Sequence, residues 1–499
     1  MQNKFKVFLS KSAFAIFCAL YGFVAVSIIF NNVSFDFNIP VIMVAMGCFT
    51  AVAAVACVVL RRYEDFFIKH RYKFLAVVCV AIFAVQFVVS KQMAQTVLYD
   101  YEKVLNGAMI WATKGDVAEF DIYRQYLRHY PHQLGIFLIQ QFIFKLSLAI
   151  GFNDLFIAAC VAGQIMMCIM TVTSFMYLDE NYSGHRALFY LLLTAMYFPV
   201  YFQSNVAYTD TYSIWGIPCI LLFASRALKA EKATPRIIYS VLAGALTATA
   251  IQVKTTATIV VVALVIQAVV KGCGKKDMAV FAVMLAGLVA VNGMFGLWEN
   301  TVIDEEDIKE STPVTHWIMM GLQGDGTYSA YDEWSITFAV PAEERVEKNL
   351  EVIKERLEKM GPDGYMQLLY RKTCRTFGSG DAELYYTYLY SENATPTNTV
   401  YEIVYHDGRF FPVFRIGAQA VYLLTIVLGV LGGALMLTKK DDSVSEFVPH
   451  ISLIGFWIFM MLWESNHRQL INQWSLFFMV AAIGLYNIWQ VLPGRKGNK

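Results

Sequence analysis

"AGALTATAIQVKTTATIVVVALVIQAVV", residues 243–270, holds a single charged side chain, Lys254, near its middle. About 20 apolar residues are enough for a helix to cross a bilayer, so this run is too long for one crossing. A lysine at mid-bilayer costs about 2.5–3.5 kcal/mol even on the lenient insertion scale. The stretch therefore reads as two spans that turn at Lys254, with the ammonium at a polar face.

The rest of the chain follows the same pattern. Of its 499 residues 57% are hydrophobic and 16% charged, with mean hydropathy +0.48. A soluble domain is about 25% charged, so this is a membrane composition. The net charge of +1 points to neither nucleic acid nor an acidic partner. It conceals an asymmetry, because residues 299–410 carry 21 acidic against 10 basic side chains and the remainder 18 against 30. A basic-edged membrane body with one acidic, water-facing insertion is expected. Eight of the nine cysteines lie in apolar spans or a short basic loop, leaving Cys374 alone in the insertion. They read as small hydrophobes rather than disulfide or metal partners.

Lys and Arg collect in cytoplasmic loops. "RRYEDFFIKHRYK" (61–73), the Arg226–Arg236 connection, "KGCGKK" (271–276), "KK" (439–440) and "GRK" (494–496) are thus expected inside, with both termini. The 91–133 loop, Asp210, Lys254, the insertion and "ESNHRQ" (464–469) then lie outside. The first apolar run, 12–30, shows no small-residue cleavage site and reads as a retained span. Between 133 and 207 three apolar runs occur, 134–150, 155–178 and 187–206, where an even number of crossings is required. Either one run is re-entrant or peripheral, or Pro199 divides one. The expected architecture is an all-α polytopic membrane protein of about 12 spans, with a mixed extracytoplasmic domain inserted before the last three. Its parts are two N-terminal helices (1–72), a transmembrane module (73–298), the acidic domain (299–410) and C-terminal helices (411–499). No nucleotide-binding motif, DxD or internal repeat appears, so any chemistry belongs outside.

Several outer residues stand out. In 97–111, Val97, Tyr101, Val104, Ala108 and Trp111 recur at helical spacing, as in an interfacial helix, with Asp100 near its start. Asp210, in "SNVAYTDTYSIW" (204–215), falls at the mouth of an apolar run, where it either caps a helix or faces a polar cavity. Lys254 either snorkels or binds a phosphate, and His467 and Arg468 can also reach an anion. In 341–361 the stripe Val346, Leu350, Ile353 and Leu357 predicts an amphipathic helix packed on the domain's own core. Carboxylates and cations gathered on the outer face suit group transfer. A carboxylate takes the acceptor proton and cations stabilise a phosphate leaving group. Because nucleotide sugars are made in the cytoplasm, a donor used outside is expected to be lipid-linked.

These residues resemble the GT-C superfamily of integral membrane glycosyltransferases, in particular polyprenyl-phosphate-mannose protein mannosyltransferase-like proteins. Asp100 in "LYDYEKV" and Asp210 in "AYTDTYS" match the family's two acidic positions. "YPHQLG" (130–135) is similar to its Tyr-Pro entry into the next helix. "VKTTATIV" (253–260) resembles its Lys-Pro-Thr stretch, with Thr255 for the proline, and "THWIMMGL" and "CRTFGSGD" resemble segments of bacterial members. "HRQL" (467–470) departs from the Arg-Tyr pair near the last span. The resemblance implies a GT-C-like fold and a polyprenyl-phosphate-linked sugar donor. It implies an envelope glycan, lipid or protein as acceptor, with Asp100 as general base and Asp210 positioning the acceptor or assisting the base. Lys254 and Arg468 would hold the donor phosphate, and His132 and His316 would line the site. No cofactor is called for and no metal is required, although some relatives of the resembled family use a divalent one. The competing readings are a flippase or transporter of a lipid-linked envelope precursor, which would also place charges near lipid phosphate, and an accessory membrane protein whose outer domain is a binding module.

Overall fold

The computed structural model describes residues 2–30, 37–92, 99–304, 308–381, 384, 399–439 and 446–491. Val97, Lys440, "GRK" (494–496) and nearly all of 382–398 lie outside the described residues. Helices run in the order α1 (Gln2–Phe30), α2 (Ile39–Arg62), α3 (Glu64–Gln92), α4 (Tyr99–Lys114), α5 (Asp121–His129), α6 (Leu134–Ala149) and α7 (Leu155–Asn181). There follow α8 (Gly184–Met196), α9 (Thr209–Tyr212), α10 (Gly216–Lys229), α11 (Ala233–Val253), α12 (Thr258–Lys271) and α13 (Lys275–Glu299). The last six are α14 (Val314–Met320), α15 (Arg345–Phe377), α16 (Thr399–Val404), α17 (Phe411–Thr438), α18 (Val448–Leu462) and α19 (Trp474–Val491). Among the described residues there is no strand, and all nine cysteines are free.

Among the described residues nine helices are long and apolar enough to cross a bilayer, with Thr255–Lys271 and Val448–Leu462 as shorter apolar ones. Contacts define the two ends of the bundle. At one end Arg71 on α3 pairs with Asp179 on α7 at 2.9 Å, and Lys271 pairs with Glu446 at 2.6 Å. At the other, Ser90 on α3 donates to Asn205 at 2.6 Å and Asn472 donates to Thr256 at 2.7 Å. The second end carries Asp210 and Lys254 and is called the site end below.

The odd run between 133 and 207 finds its place here. The start of α6 is wedged against the last turn of α11, where a Cβ on Gly135 would lie 2.1 Å from the Gln252 carbonyl oxygen. Its other end leads through 150–154 into the site end of α7, and α4 flanks it along its length. Both ends of α6 are thus at the site end, and α6 lies along that end without crossing the bundle. The next return passage is broken after Met196, as Pro199 suggests: α8 gives way to short 3-10 turns at Phe198–Tyr201 and Gln203–Asn205.

Close backbone approach holds the body together. On α17 a Cβ at Gly432 would stand 2.1 Å from Gly484 Cα on α19, and one at Gly484 would stand 2.0 Å from the Leu428 carbonyl oxygen. Paired glycines of this kind let helices pack without a hydrophobic driving force between them.

The insertion departs from expectation in two ways. The helix predicted at 341–361 forms the first part of α15, but its stripe faces outward: Val346 is 45% exposed, Leu350 51% and Leu357 42%. The buried face is polar instead, with Arg345 and Asn349 both buried. Arg345 donates to the Glu310 carbonyl oxygen at 2.6 Å, and Arg356 forms a two-pronged pair with Asp332, both contacts at 2.7 Å. Hydrophobic spacing located the helix, and ion pairing chose the face it buries. The second departure follows the bend at Gly361 (φ 61°) and Pro362. Beyond it α15 enters the membrane body, burying Leu368, Lys372, Cys374 and Phe377, with Phe377 against Tyr21 and Phe456. The insertion is therefore water-facing only in part.

If α6 lies along one end, cysteines placed at His132 and Asn153 react with an impermeant maleimide from the same side of the membrane. A cysteine at Glu180 reacts only from the opposite side. The test uses a background in which the exposed Cys48 and Cys273 are serine; labelling of 132 and 153 from opposite sides would contradict this path.

Candidate active site

The chain from Phe198 to Trp215 is irregular, so its peptide groups need partners that a helix would otherwise supply. Polar side chains on α3, α4 and α6 provide them, with Gln164 on α7 acting through Ser90. Gln86 on α3 donates to the Val200 carbonyl oxygen at 2.5 Å. Tyr101 on α4 donates to the Asn205 carbonyl oxygen at 3.0 Å and accepts from the Ala207 N–H at 3.1 Å. Gln140 on α6 donates to the Ala207 carbonyl oxygen at 2.6 Å, and Gln164 on α7 donates to Ser90 at 2.8 Å. This scaffold fixes the short helix Thr209–Tyr212 and, in its first turn, Asp210.

Asp210 does not cap that helix. Its Oδ1 accepts from Lys254 Nζ, and its Oδ2 lies 3.9 Å from Arg468 Nη1. The carboxylate and ammonium are nearly buried, whereas the guanidinium is one-third exposed, so the cluster opens at Arg468. Lys254 stands between α11 and the 3-10 turn Thr255–Ala257, at the turn expected from sequence. The 3-10 segment His467–Gln473 places Arg468. Three residues far apart in the chain thus share one volume.

Asp100 approaches by another route. Tyr99 has φ 55°, the one positive φ at a non-glycine among the described residues, a conformation that costs about 1–3 kcal/mol and often marks functional sites. It precedes Asp100, which is exposed in the first turn of α4. Tyr126 stands near both Asp100 and Tyr208, and burial with these two neighbours pushes its hydroxyl pKa up. The Tyr208 hydroxyl accepts from Gln133 at 2.7 Å, and Arg468 lies over its ring, 5.9 Å from the centroid. Tyr126 and Tyr208 therefore stand between Asp100 and the Asp210 cluster.

The two histidines part company. His132 is open to water, yet its ring stands edge-on to Tyr130 and Trp317 at 6.0 and 5.7 Å. The surrounding protein holds its pKa down to about 4. His316 is buried inside the insertion, hydrogen-bonded to Thr337 at 2.7 Å, and is not in contact with Asp210, Lys254 or Arg468.

Sequence reasoning missed two carboxyls that face Asp100. Glu333 is buried on a six-residue π-helix, Asp332–Thr337, a form common at functional sites, and accepts from the Tyr328 hydroxyl. Burial, with Asp100 adding to it, pushes its carboxyl up to about 7. In a segment with 21 acidic residues nothing singled it out. Glu464 opens the quoted "ESNHRQ", and its position four residues before Arg468 was the available signal. Among the described residues no three or more His, Cys, Asp or Glu side chains come together in a metal-binding arrangement.

Replacing Lys254 by Met leaves the Asp210 carboxylate buried beside Arg468 alone, and removing one partner of a buried pair costs about 3 kcal/mol. Unfolding in detergent should show that loss. The double variant Asp210→Asn/Lys254→Met should lose less than the sum of the two single changes, by about 1 kcal/mol or more; strictly additive losses would mean the two groups are not coupled.

A family model described as "Conserved hypothetical integral membrane protein" matches residues 8–488. No curated protein matches the chain significantly. Among solved structures it is similar to ArnT from Cupriavidus metallidurans bound to undecaprenyl phosphate, at 14% identity over 83% of this chain and 78% of that one, TM-score 0.39. It is also similar to the archaeal oligosaccharyltransferase AglB from Archaeoglobus fulgidus in complex with an inhibitory peptide and a dolichol-phosphate. That match has 12% identity over 84% of this chain and half of the other, TM-score 0.43. Apo ArnT from Cupriavidus metallidurans matches at 15% identity over 83% and 77%, TM-score 0.34. With the family model spanning nearly its whole length, the chain belongs to that family of integral membrane proteins.

Proposed function

We propose that the chain is a GT-C-type membrane glycosyltransferase, moving a sugar from a polyprenyl-phosphate-linked donor to an envelope glycan, lipid or protein on the outer face. The observation that supports this most is the meeting of Asp210, Lys254 and Arg468 at one end of the bundle. Two cations around one carboxylate leave a net positive charge, which favours an anionic headgroup. Arg468, the most exposed of the three, is the entry contact for a phosphate, and its planar fork suits phosphate oxygens. Lys254 is the deeper ligand. Asp210 keeps the two cations together in an otherwise apolar setting and orients the acceptor beside them. Asp100, open to water and outside the ion pair, is the general base that takes the acceptor proton. His132, held neutral, offers a hydrogen bond without adding charge.

Inversion at the anomeric carbon follows from a single in-line attack: the acceptor oxygen bonds to C1 as the C1–O bond to phosphate breaks. Positive charge at Lys254 and Arg468 stabilises the departing phosphate.

Asp100→Asn and Asp210→Asn proteins, expressed at normal levels, should each lower sugar incorporation into the cell envelope, the former by about 100-fold, the low end for loss of a general base. Normal incorporation by both variants would remove the transferase reading, whereas lost lipid movement with chemistry intact would mark a transporter.

A further inference from the structure

The turn that carries Arg468 is tied to the insertion at two points. Lys372, a fully buried lysine on α15, donates to the Trp463 carbonyl oxygen at 2.7 Å and to the Gly321 carbonyl oxygen at 2.9 Å. The Ser465 N–H donates to the Gly326 carbonyl oxygen at 2.6 Å. Three segments distant in the chain, α15, the loop 321–326 and the turn after α18, are therefore joined around one ammonium. Taking an ammonium out of water is costly, and two carbonyl oxygens on separate segments offset that cost only while both stay in place.

The fit leaves little slack. A Cβ at Gly321 would stand 2.8 Å from the Trp463 carbonyl oxygen and 3.0 Å from Lys372 Nζ. Gly326 has φ +81°, and a Cβ there would meet Ser465 Oγ at 2.9 Å and the Lys372 stem at 3.0 Å, so glycine is required there on both counts. From Ser465 the chain passes directly to the site. The Asn466 side chain accepts from the Arg468 N–H at 3.0 Å and starts the 3-10 segment, and Arg468 Nη1 lies 3.9 Å from Asp210 Oδ2. Trp463 also stacks on Trp317 and Phe459, with ring centroids 6.2 and 5.3 Å apart, so the turn keeps a second hold if the ammonium is lost.

We infer that Lys372 is a positioning residue for the phosphate site: its ammonium fixes the 463–468 turn against the insertion, and so fixes where Arg468 meets the donor phosphate. This rests on the reading above, in which Arg468 is the entry contact for that phosphate. Lys372 is enclosed by protein and acts only through the backbone that it holds. The loop 321–326 belongs to the same lock, because Gly326 grips the turn one residue beyond Glu464 while Gly321 shares the ammonium with Trp463. The insertion is in this way part of the phosphate grip.

The test measures binding of undecaprenyl phosphate, and of undecaprenol as the lipid without phosphate, to the full-length protein in nanodiscs. Arg468→Gln should weaken undecaprenyl phosphate binding about 30-fold, the scale of a lost hydrogen bond to a charged group. Lys372→Met should weaken it about 10-fold, and the double variant should bind no more weakly than Arg468→Gln alone, whereas independent losses would multiply to about 300-fold. Undecaprenol binding should be unchanged throughout, a selectivity that general loosening of the fold would not give. Gly326→Ala, which displaces the same turn without removing the ammonium, should repeat the pattern and serves if Lys372→Met does not fold. Losses that multiply with that of Arg468→Gln, equal losses for undecaprenol, or no loss in either variant would overturn the inference while leaving the phosphate contact standing. Undecaprenyl phosphate binding untouched by Arg468→Gln would remove the phosphate reading and this inference with it. The predicted pattern in protein that transfers no sugar would remove the transferase reading and leave the role of Lys372 in place.

Discussion

The charges at the site end depend on one another. Asp210, alone, would be a buried carboxylate facing an apolar bundle, and Lys254 a buried ammonium; together, with Arg468 beside them, they cancel most of each other's cost. The pair also constrains the backbone. The turn between α11 and α12 must bring Lys254 back to the same depth as Asp210, and the last helix must begin where Arg468 can reach them. Four segments, 198–215, 252–258, 321–326 and 463–473, therefore meet at one level of the bundle.

Holding an ion pair there requires irregular backbone, and irregular backbone in an apolar body needs hydrogen-bond partners. Gln86 on α3, Tyr101 on α4 and Gln140 on α6 supply them, and Gln164 on α7 holds Ser90, which donates to Asn205; all three glutamines are buried on otherwise apolar helices. The site-end placement of α6 belongs to the same design. By lying along that end it brings Gln133 to Tyr208 and Gln140 to Ala207, contacts that a helix passing through the bundle would not make with both. The insertion then closes the site from the other side through Lys372, Tyr328 and Glu333.

Much of this was legible in the sequence where a single strong term dominates. Hydropathy located the spans, because every apolar run long enough to cross has few alternatives. A lone Lys254 in an apolar run marked a turn, because no other placement is cheap. Legibility failed where several weak terms compete. Residues 134–150 are as apolar as a span, and only their length and contacts reveal that they lie at one end. The first half of α15 has a clear apolar stripe, yet burial of Arg345, Asn349 and Arg356 in ion pairs and hydrogen bonds outweighed it. Asp210 and Lys254 were expected on one outer face with the other site charges, but the direct contact between them, joining residues 44 apart in the chain, has no local signature. Glu333 carries no local signature at all, and Glu464 only its place four residues before Arg468.

Cryo-electron microscopy of the protein in nanodiscs with bound undecaprenyl phosphate examines the central claim most directly. The account predicts phosphate density bounded by Arg468 and Lys254, with Asp100 opening onto the same cleft. Phosphate density elsewhere, with Asp210 and Lys254 facing separate regions, would contradict it.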